Sequence, residues 1–499
     1  MLEQILQSVG NFKPEIALTA TFCVAIILEL IVRKKVTWVS AVSLVGFAVT
    51  GYYVYEQAGT TTSIFSDMYA VDPFATFFKV LILLCSVLIV IQSLWSNELR
   101  TGGARRLGEY YSLLVAMTLG MFLMVGASNL LMMYLSIELT SISSYILAGH
   151  TKEAPDSAEA SLKYVIYGAL SSGLMLYGIS IIYGLTGALD IYSINSIIAE
   201  GEVSTIALLI AGMLTIAGFG YKITAAPFHF WSPDVYEGAP ITITAFLAVA
   251  SKAAGFALLI RFFKVTFFDS SVDALPEGFW ATFEGFEWNM VLAVLSVLTM
   301  TLGNLVAIWQ DNMKRLLAYS SIAHAGYILM GIVVLSNAGI TAMMIYFVAY
   351  LFMNLGAFYA VMLIADKTGS ESIEEYKGLG YRSPLIAVSL TVFLLSLTGI
   401  PPTFGFIGKF YLFAALIDAQ WFWLALIGAV NSVISLYYYV RVIRNMYLRD
   451  PVRSGAAIRF EPAHTALLLV FLIPNIAFFL YFTPIVDFAQ ASLVMVGIP

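Results

Sequence analysis

The stretch PLIAVSLTVFLLSLTGIPPTFGFIGKFYLFAALI, residues 384–417, is almost entirely apolar, yet it contains two adjacent prolines and a lysine. A helix that crosses a bilayer needs roughly 20 apolar residues, so this stretch is long enough to span a membrane. Pro401 and Pro402 remove backbone donors and interrupt a helix, and Lys409 follows them within the same span. An interrupted apolar helix that carries a buried cation predicts a membrane protein with a functional site inside the bilayer.

The composition of the whole chain agrees with this interpretation. Of its 499 residues, 60% are hydrophobic and 11% are charged, and the mean hydropathy is +0.88. These values exclude a water-soluble domain, and a net charge of −6 without long Lys or Arg runs argues against nucleic acid as a partner. Cys23 and Cys85 each lie alone in an apolar run, so we expect neither an iron–sulfur centre nor a metal site.

Further apolar runs of spanning length follow one another along the chain and predict an all-α integral membrane protein with about 14 transmembrane helices. An outer-membrane barrel would show short alternating strands instead. The predicted spans are 16–33, 37–56, 73–95, 108–126, 128–149, 164–185, 204–229, 240–260, 288–310, 316–336, 340–365, 384–417, 421–440 and 463–486.

Basic residues indicate the orientation, because cytoplasmic loops carry an excess of Lys and Arg. Most lie at connections that follow odd-numbered spans, whereas Arg261 and Lys264 follow the eighth span and Lys13 precedes the first. This asymmetry predicts that both termini lie on the outer side. The N-terminus lacks the basic region of a secretory signal, so we expect the first span to be a retained anchor. The basic residues after odd-numbered spans are Arg33, Lys34, Lys35, Arg100, Arg105, Arg106, Lys152, Lys163, Lys314, Arg315, Lys367, Lys377, Arg382, Arg441, Arg444, Arg449, Arg453 and Arg459.

Ionisable residues also occur within the apolar spans. A cation at the bilayer centre costs about 2.5–3.5 kcal/mol on insertion scales, so such residues usually face a bundle interior or a hydrated path. They are candidates for a transport site. The members of this group are Lys79, Glu138, Lys222, Lys252, His324 and Lys409.

The seventh span resembles the twelfth. In GFGYKITAAPFHFWSPDVYEGAP, residues 218–240, prolines again accompany a lysine, and the pattern G-F-x-x-K that ends at Lys222 recurs at Lys409. The separation of Glu138 and His324 in the sequence agrees to within one residue with the separation of Lys222 and Lys409. The position that corresponds to Lys252 in this comparison is Tyr439.

An odd number of spans separates the matching positions, so the sequence predicts two five-helix repeats of inverted topology within one polytopic membrane domain. Discontinuous helices 7 and 12 would lie in corresponding positions. The predicted division is 1–107 for helices 1–3, 108–265 for the first repeat (helices 4–8), 288–447 for the second (helices 9–13) and 462–499 for helix 14.

Proton binding is the chemistry that these residues suggest. Burial favours the neutral form of a lysine and a nearby carboxylate favours the charged form, so Lys222 with Glu138 would form a proton-binding site with a switch. Lys222 and Lys409 could alternatively form structural ion pairs or extend to a membrane interface. Lys252 could alternatively form a structural ion pair with an acid. His324 is either a proton relay or a hydrogen-bonded core histidine.

Three further ionisable groups are weaker candidates. His229 precedes the turn that follows the seventh span and is expected to act mainly as a helix-end hydrogen-bonding group. Lys79 lies near the start of its span, so we expect it to extend to the interface. Glu29 is expected to form a surface ion pair with Arg33 or Lys34.

The motifs KITAAPFHFWSPDVYEGAP (222–240), SKAAGF (251–256) and GIPPTFGFIGKF (399–410), with the Glu138 helix, resemble the antiporter-like membrane subunits of respiratory complex I, the proton-translocating NADH-quinone oxidoreductases. The resemblance covers essentially the full chain. It implies an inverted-repeat fold and a proton path in which Glu138 pairs with Lys222, Lys252 connects two half-channels and Lys409 faces the second.

The same resemblance implies which parts of the chemistry lie elsewhere. Flavin (FMN), iron–sulfur clusters, quinone and NADH would be handled by partner subunits, and no cofactor would lie on this chain. The expected partners are other antiporter-like and small membrane subunits and the lipid bilayer. The three N-terminal helices favour a bacterial inner-membrane protein, with plant organelle and cyanobacterial versions as the alternatives. Two alternatives stay open, a subunit of a multisubunit cation/proton antiporter or membrane-bound hydrogenase, and a structural membrane anchor.

Overall fold

The computed structural model describes residues 2–32, 37–100, 104–201, 203–269, 271–272, 275–283, 285, 287–451 and 457–497. Within these ranges the chain is a bundle of α-helices with two short antiparallel β-ribbons. The basic residues Arg33, Lys34, Lys35 and Arg453, which contribute to the predicted orientation, lie outside the described residues. The two proposed partners of Glu29 are therefore outside them as well.

The helices and strands alternate with short connections. In chain order the helices are α1 (Leu2–Gly10), α2 (Lys13–Val32), α3 (Thr37–Glu56), α4 (Pro73–Ser93), α5 (Asn97–Arg100), α6 (Ala104–Gly126), α7 (Leu130–Ala148), α8 (Pro155–Thr186), α9 (Ile191–Ala199), α10 (Thr205–Ile223), α11 (Trp231–Gly238), α12 (Ile241–Phe246), α13 (Lys252–Thr266), α14 (Trp288–Ala307), α15 (Met313–Val333), α16 (Asn337–Thr368), α17 (Leu379–Arg382), α18 (Pro384–Thr398), α19 (Phe404–Asp418), α20 (Phe422–Leu448), α21 (Pro462–Leu480) and α22 (Thr483–Ala491). The strands are β1 (Thr62–Ile64), paired with β2 (Tyr69–Val71), and β3 (Phe268–Asp269), paired with β4 (Ala281–Thr282).

The predicted helical membrane fold is confirmed. Among the described residues, 13 helices are long and apolar enough to cross a bilayer. Reaching the predicted 14 requires α18 and α19 to form the two halves of one span, and that count stays a prediction. The helices Ile241–Thr266, α15 and α16 are almost wholly buried and form the centre of the bundle, whereas α2, α8, α20 and α21 expose most of their surface.

Two helix interruptions occur where the prolines and glycines of the sequence predict them. Helix α10 ends at Ile223 and α11 begins at Trp231, and the first residue after α10, Thr224, has a positive φ of 62°. Helix α18 ends at Thr398, and Gly399 follows with a φ of 87°, a conformation that favours glycine. A Cβ at this position would lie 2.7 Å from Cδ of Lys409, so the glycine also makes room for the lysine side chain.

The two halves of the chain contain similar elements in the same order. The 32-residue helix α8 precedes the first interruption and the 32-residue helix α16 precedes the second. The inverted relation between the halves, and the division at 108–265 and 288–447, stay predictions. One element departs from regular helix, because the π-helical segment Leu247–Ser251 separates α12 from α13 and ends immediately before Lys252. Such segments frequently occur at functional sites.

The eighth span extends further than the sequence analysis placed it, and this corrects the location of two basic residues. Arg261 and Lys264 were expected in the connection after that span, but both lie within α13 and are buried. The apolar residues around them, such as Phe262 and Phe263, continue the span beyond residue 260.

Candidate functional site

Four buried side chains form the candidate site, and they come from α10, α13, α15 and α19. Lys222 is in the last turn of α10, Lys252 begins α13 after the π-helical segment, and Lys409 is in α19 after the second interruption. His324 is in the middle of α15. Each has at most 4% of its surface exposed. Burial of this extent requires polar partners, because an unpaired buried charge is costly.

Lys222 contacts a serine rather than a carboxylate. Its Nζ lies 3.4 Å from Oγ of Ser141, which is one turn along α7 from Glu138. Among the described residues Lys222 forms no ion pair, although Glu138 lies within its electrostatic reach. Glu138 is half-buried and instead accepts a hydrogen bond from Ser172 Oγ. The direct Glu138–Lys222 pair that the family resemblance implies is therefore not formed in this conformation.

Lys252 also contacts a hydroxyl side chain. Its Nζ donates to the backbone carbonyl oxygen of Ser321 at 2.8 Å and to the Oγ of the same residue. No acid pairs with Lys252 among the described residues in this conformation, and its alternative role in a structural ion pair stays open. Ser321 lies in α15 one turn before His324, so its helix connects Lys252 to the histidine.

His324 lies among tyrosines. Its Nδ1 is 2.6 Å from the Oη of Tyr346, and its Nε2 is 3.4 Å from the Oη of Tyr439. The charges of Lys252 and Lys409 both act on the ring. The histidine is therefore hydrogen-bonded as a core residue would be, and both lysines are close enough to influence it electrostatically.

Lys409 is held by the end of the preceding helix. Its Nζ donates to the carbonyl oxygen of Thr398 at 2.8 Å and to Ser432 Oγ at 3.0 Å. Because α18 ends at Thr398, that carbonyl has no intrahelical partner and is available to the lysine. The same Nζ lies 4.3 Å from the centre of the Tyr327 ring, a cation–π distance. No carboxylate pairs with Lys409 in the described part of the chain.

Lys222 and Lys409 have corresponding surroundings as well as corresponding sequences. Lys222 contacts Ser141, three residues after Glu138, and Lys409 contacts Tyr327, three residues after His324. The two lysines therefore face the same positions of helices α7 and α15. This contact pattern supports the predicted repeat at the level of individual side chains.

His229 is buried between α10 and α11 but does not join this group. It lies in the interruption itself, its ring stacks on Phe230 with centres 4.5 Å apart, and no contact with the three lysines or His324 is observed in the described residues. Its Nδ1 has no hydrogen-bond partner among them. It thus lies within the broken segment rather than at the terminus of a continuous span.

Two buried tyrosine hydroxyl groups lie near Ser321, the residue that Lys252 contacts. The Oη atoms of Tyr236 and Tyr350 interact with Ser321, but neither forms a hydrogen bond of standard geometry within the described ranges. Buried groups of this kind are usually satisfied by ordered water. The centre of the bundle therefore offers polar positions between the charged groups.

Sequence reasoning missed the partner of Lys79. This lysine does not extend to the interface, which corrects the expectation for it. It is buried, and its Nζ forms an ion pair with Glu15 at 2.7 Å. The Glu15 carboxylate also accepts a hydrogen bond from the Oη of Tyr69 at 2.7 Å. The two charged residues come from α2 and α4, so no spacing along the chain signals their contact.

A second buried ion pair was missed for the same reason. Arg261 of α13 contacts Asp72 through two hydrogen bonds of 2.7 and 2.9 Å, and both side chains are wholly buried. Asp72 also caps α4 by accepting from the backbone N–H of Ala75 at 2.8 Å. These two pairs are closed structural ion pairs, in contrast to the lysines of the candidate site.

Comparison with known proteins places the chain among respiratory membrane subunits. Residues 127–435 match the family model described as "NADH:quinone oxidoreductase/Mrp antiporter, TM". The NADH-quinone oxidoreductase subunit N 2 of Chloroherpeton thalassium is 50% identical over 493 residues, which cover 97% of this chain and 94% of the relative.

Solved structures show the same fold. A chain of respiratory complex I from Thermus thermophilus matches with 30% sequence identity and a TM-score of 0.78, over 96% of this chain and 99% of that one. A chain of the Mrp complex from Dietzia sp. DQ12-45-1b matches with a TM-score of 0.80 at 19% identity, over 97% of each chain. At that identity the second match shows the fold alone.

Proposed function

Because this chain belongs to the NADH:quinone oxidoreductase/Mrp antiporter transmembrane family, we propose that it is subunit N of a bacterial NADH-quinone oxidoreductase and moves protons across the membrane. Among the members of the family, PDVYEGAP (233–240) and GIPPTFGFIGK (399–409) most resemble subunit N. The observation that carries the proposal is the set of buried lysines that contact hydroxyl and carbonyl groups instead of carboxylates.

A lysine of this kind is suited to gain and lose a proton. Burial favours its neutral form, whereas hydroxyl and carbonyl oxygens accept hydrogen bonds from the charged form without fixing it as a carboxylate would. Lys79 and Arg261, which contact buried carboxylates, are the contrasting cases in the same molecule. The groups that move protons are therefore Lys222, Lys252 and Lys409.

Glu138 acts as the switch in this proposal. It lies within electrostatic reach of Lys222 while it is hydrogen-bonded to Ser172. Movement of the carboxylate toward Lys222 favours the charged lysine, and movement back toward Ser172 favours release of the proton. A conformational change elsewhere in the complex, driven by quinone reduction, would move this equilibrium.

The proton would then pass along the centre of the bundle. Lys252 bonds to Ser321, the same helix carries His324 one turn later, and the charges of Lys252 and Lys409 both act on the histidine. His324 serves as the relay between the two lysines, and water at the buried tyrosine hydroxyls provides the intervening steps. His229 is not assigned a step.

The remaining features of the assembly follow from the family. FMN, iron–sulfur clusters and the sites for NADH and quinone lie on partner subunits, and this chain carries no redox centre. We place both termini on the outer side of a bacterial inner membrane, from the distribution of Lys and Arg. The neighbours are other antiporter-like and small membrane subunits of the complex.

A cation/proton antiporter subunit is the second candidate function. The observation that favours it is the match to a family model whose description includes the Mrp antiporter. An antiporter uses the same buried lysines but needs neither NADH nor quinone. NADH oxidation that persists at the normal rate after deletion of this chain would support that function.

The test is the substitution Lys222→Met in the chromosomal copy, with NADH-quinone electron transfer and proton uptake measured together in inside-out membrane vesicles. Lys13→Met is the matched control, since Lys13 is exposed and pairs with Glu56. We expect both rates to fall in proportion in the assembled complex of the first variant and to stay normal in the control. Normal rates in an assembled Lys222→Met complex would contradict proton transfer by this lysine and favour a structural anchor.

A further inference from the structure

A small basic cavity lies at one side of the bundle, where α17 ends and α18 and α21 begin. It has a volume of about 270 Å³. Its polar lining includes Arg382, Arg459 and His464, and its apolar lining includes Leu385, Ile386 and Leu468. None of Lys222, Lys252 and Lys409 lines the cavity.

We propose that this cavity binds the phosphate group of an anionic phospholipid, with an acyl chain lying along the outer surface of α18. Basic pockets between transmembrane helices at the cytoplasmic side are suited to anionic headgroups. The headgroup would contact Arg382 and Arg459.

The first support is the set of unused hydrogen-bond donors. The Nε of Arg382 and the Nδ1 of His464 are buried and have no partner among the described residues. Guanidinium groups match phosphate oxygens in geometry and charge. These two atoms are enclosed, so an anion in the cavity would meet the outer guanidinium nitrogens of Arg382 and Arg459, both of which line it.

The second support is the positive field at the cavity. Lys367 and Arg100 both act electrostatically on His464, and the Lys367 Nζ lies 5.8 Å from the centre of the Phe460 ring beside it. Glu461 at the start of α21 acts on His464 more strongly than either cation alone and offsets part of their combined charge. The helices α18 and α21 both begin here without a side-chain hydrogen bond to their first turns, so their N-termini add partial positive charge.

An apolar surface beside the basic residues distinguishes a phospholipid from a free phosphate ion as the ligand. The wall of the cavity is apolar, and it continues along α18 to Leu385 and Val388, which are 41% and 48% exposed. Trp95 packs against the ring of His464 with centres 5.4 Å apart, and tryptophan is enriched at the level of lipid headgroups. A free ion would use the basic residues alone, whereas a phospholipid uses both surfaces.

The test is photo-crosslinking in the intact complex, reconstituted in phosphatidylcholine vesicles with or without phosphatidylglycerol. Leu385→benzoylphenylalanine places the reactive group on the proposed path of the acyl chain, and mass spectrometry identifies the adduct. We expect a phosphatidylglycerol adduct in preference to phosphatidylcholine, with no competition by inorganic phosphate. Arg382→Gln and Arg459→Gln should each lower its yield about fivefold, since one basic residue near an anionic surface contributes that much.

Two controls keep the result interpretable. Lys152→Gln removes an exposed basic residue after the fifth span, on the same predicted side of the membrane, and should leave the yield unchanged. Arg459 is exposed, so Arg459→Gln provides the measurement if Arg382→Gln prevents assembly. An adduct with a peptide of a neighbouring subunit, equal yields with the two lipids, competition by phosphate, or unchanged yields in both Arg variants would each overturn the proposal.

Discussion

The Oη of Tyr439 lies 3.4 Å from the Nε2 of His324, at the position of the second half that corresponds to Lys252 in the first. The same Oη is hydrogen-bonded to Ser320, and His324 contacts Tyr346 through its other ring nitrogen. The second half thus has a neutral hydroxyl group where the first half has a cation. The two halves are therefore chemically unequal at these corresponding positions.

The first prediction concerns this hydroxyl group. Tyr439→Phe removes one hydrogen-bond partner of His324 and leaves the ring in place. We expect proton uptake to fall about fivefold, the effect of losing roughly 1 kcal/mol of hydrogen bonding at the relay. Proton uptake in inside-out vesicles, driven by NADH, is the measurement.

Tyr437→Phe is the matched control for that variant. Tyr437 is in the same helix α20 but is 63% exposed, so loss of its hydroxyl should not change proton uptake. Equal rates in both variants and in the unmodified complex would show that Tyr439 is only a packing residue.

The second prediction concerns the buried pair of Glu15 and Lys79. Glu15→Ala leaves a buried lysine without its partner, which costs about 3–5 kcal/mol. We expect assembly of the complex to decrease strongly, as measured by its yield on native gels. The double variant Glu15→Met with Lys79→Met removes both charges and should restore much of the yield.

An exposed pair provides the control for this prediction. Lys13 and Glu56 are 2.9 Å apart, with side chains 43% and 46% exposed. Surface pairs contribute about 0–1 kcal/mol, so Glu56→Gln should assemble normally. A Glu15→Ala complex that assembles as well as Glu56→Gln would contradict a structural role for the buried pair.

The third prediction concerns the glycine at the second interruption. Gly399→Ala places a side chain at a φ of 87° and brings its Cβ to 2.7 Å from Cδ of Lys409. The backbone conformation alone costs about 1–2 kcal/mol, and the lysine must move. We therefore expect a lower thermal stability of the complex together with reduced proton uptake.

Gly173→Ala tests whether that effect is local. Gly173 is in the middle of α8, and a Cβ there would meet nothing within 4 Å. Alanine is the better helix former, so stability should stay equal or rise. Similar losses in both glycine variants would mean that the contact with Lys409 is not the cause.

The fourth prediction concerns pH. Burial raises the pKa of Glu98, in the short helix α5, although Lys314 and the backbone N–H of Ile241 oppose the rise. A carboxyl with a raised pKa stabilises the fold when protonated, so its contribution is present at low pH. That contribution is lost as the pH rises from the unfolded pKa through the raised folded pKa.

The measurement compares thermal unfolding of the complex from about pH 5 to pH 8, the range above the ordinary carboxyl pKa. Glu98→Gln keeps the shape of the side chain without its charge and should lose less stability than the unmodified protein as the pH rises. Glu374→Gln, at an exposed carboxylate, should follow the unmodified protein. Parallel curves for Glu98→Gln and the unmodified protein would count against a raised pKa at this residue.

Much of the fold and of the site could be predicted from the sequence. A lone lysine in an apolar run is conspicuous, so Lys222, Lys252 and Lys409 were identified, and the prolines located both interruptions. Ser141 and Ser321 could not be recognised as their partners, because serine is common in membrane helices and the contacts join different helices. The π-helical segment before Lys252 has no sequence signal of this kind either.

The errors share one physical cause. Arg261 and Lys79 lie near the ends of their spans, where a sequence cannot distinguish a residue that reaches water from one that contacts a buried acid. Asp72 and Glu15, the acids in question, precede or begin apolar runs and look interfacial. Only the packing of α2, α4 and α13 shows that these four charges are buried in pairs.

The most direct test of the central claim is proton uptake by a Lys252→Met complex, with Lys264→Met as control. Both are buried lysines of α13, but Lys264 bonds to Asn337 and lies outside the proposed path. Loss of a positioned proton-transfer group lowers a rate about a hundredfold. The rate of proton uptake driven by NADH should therefore fall by about that factor in the first variant and stay normal in the control. Normal uptake in an assembled Lys252→Met complex would contradict proton transfer through the centre of the bundle.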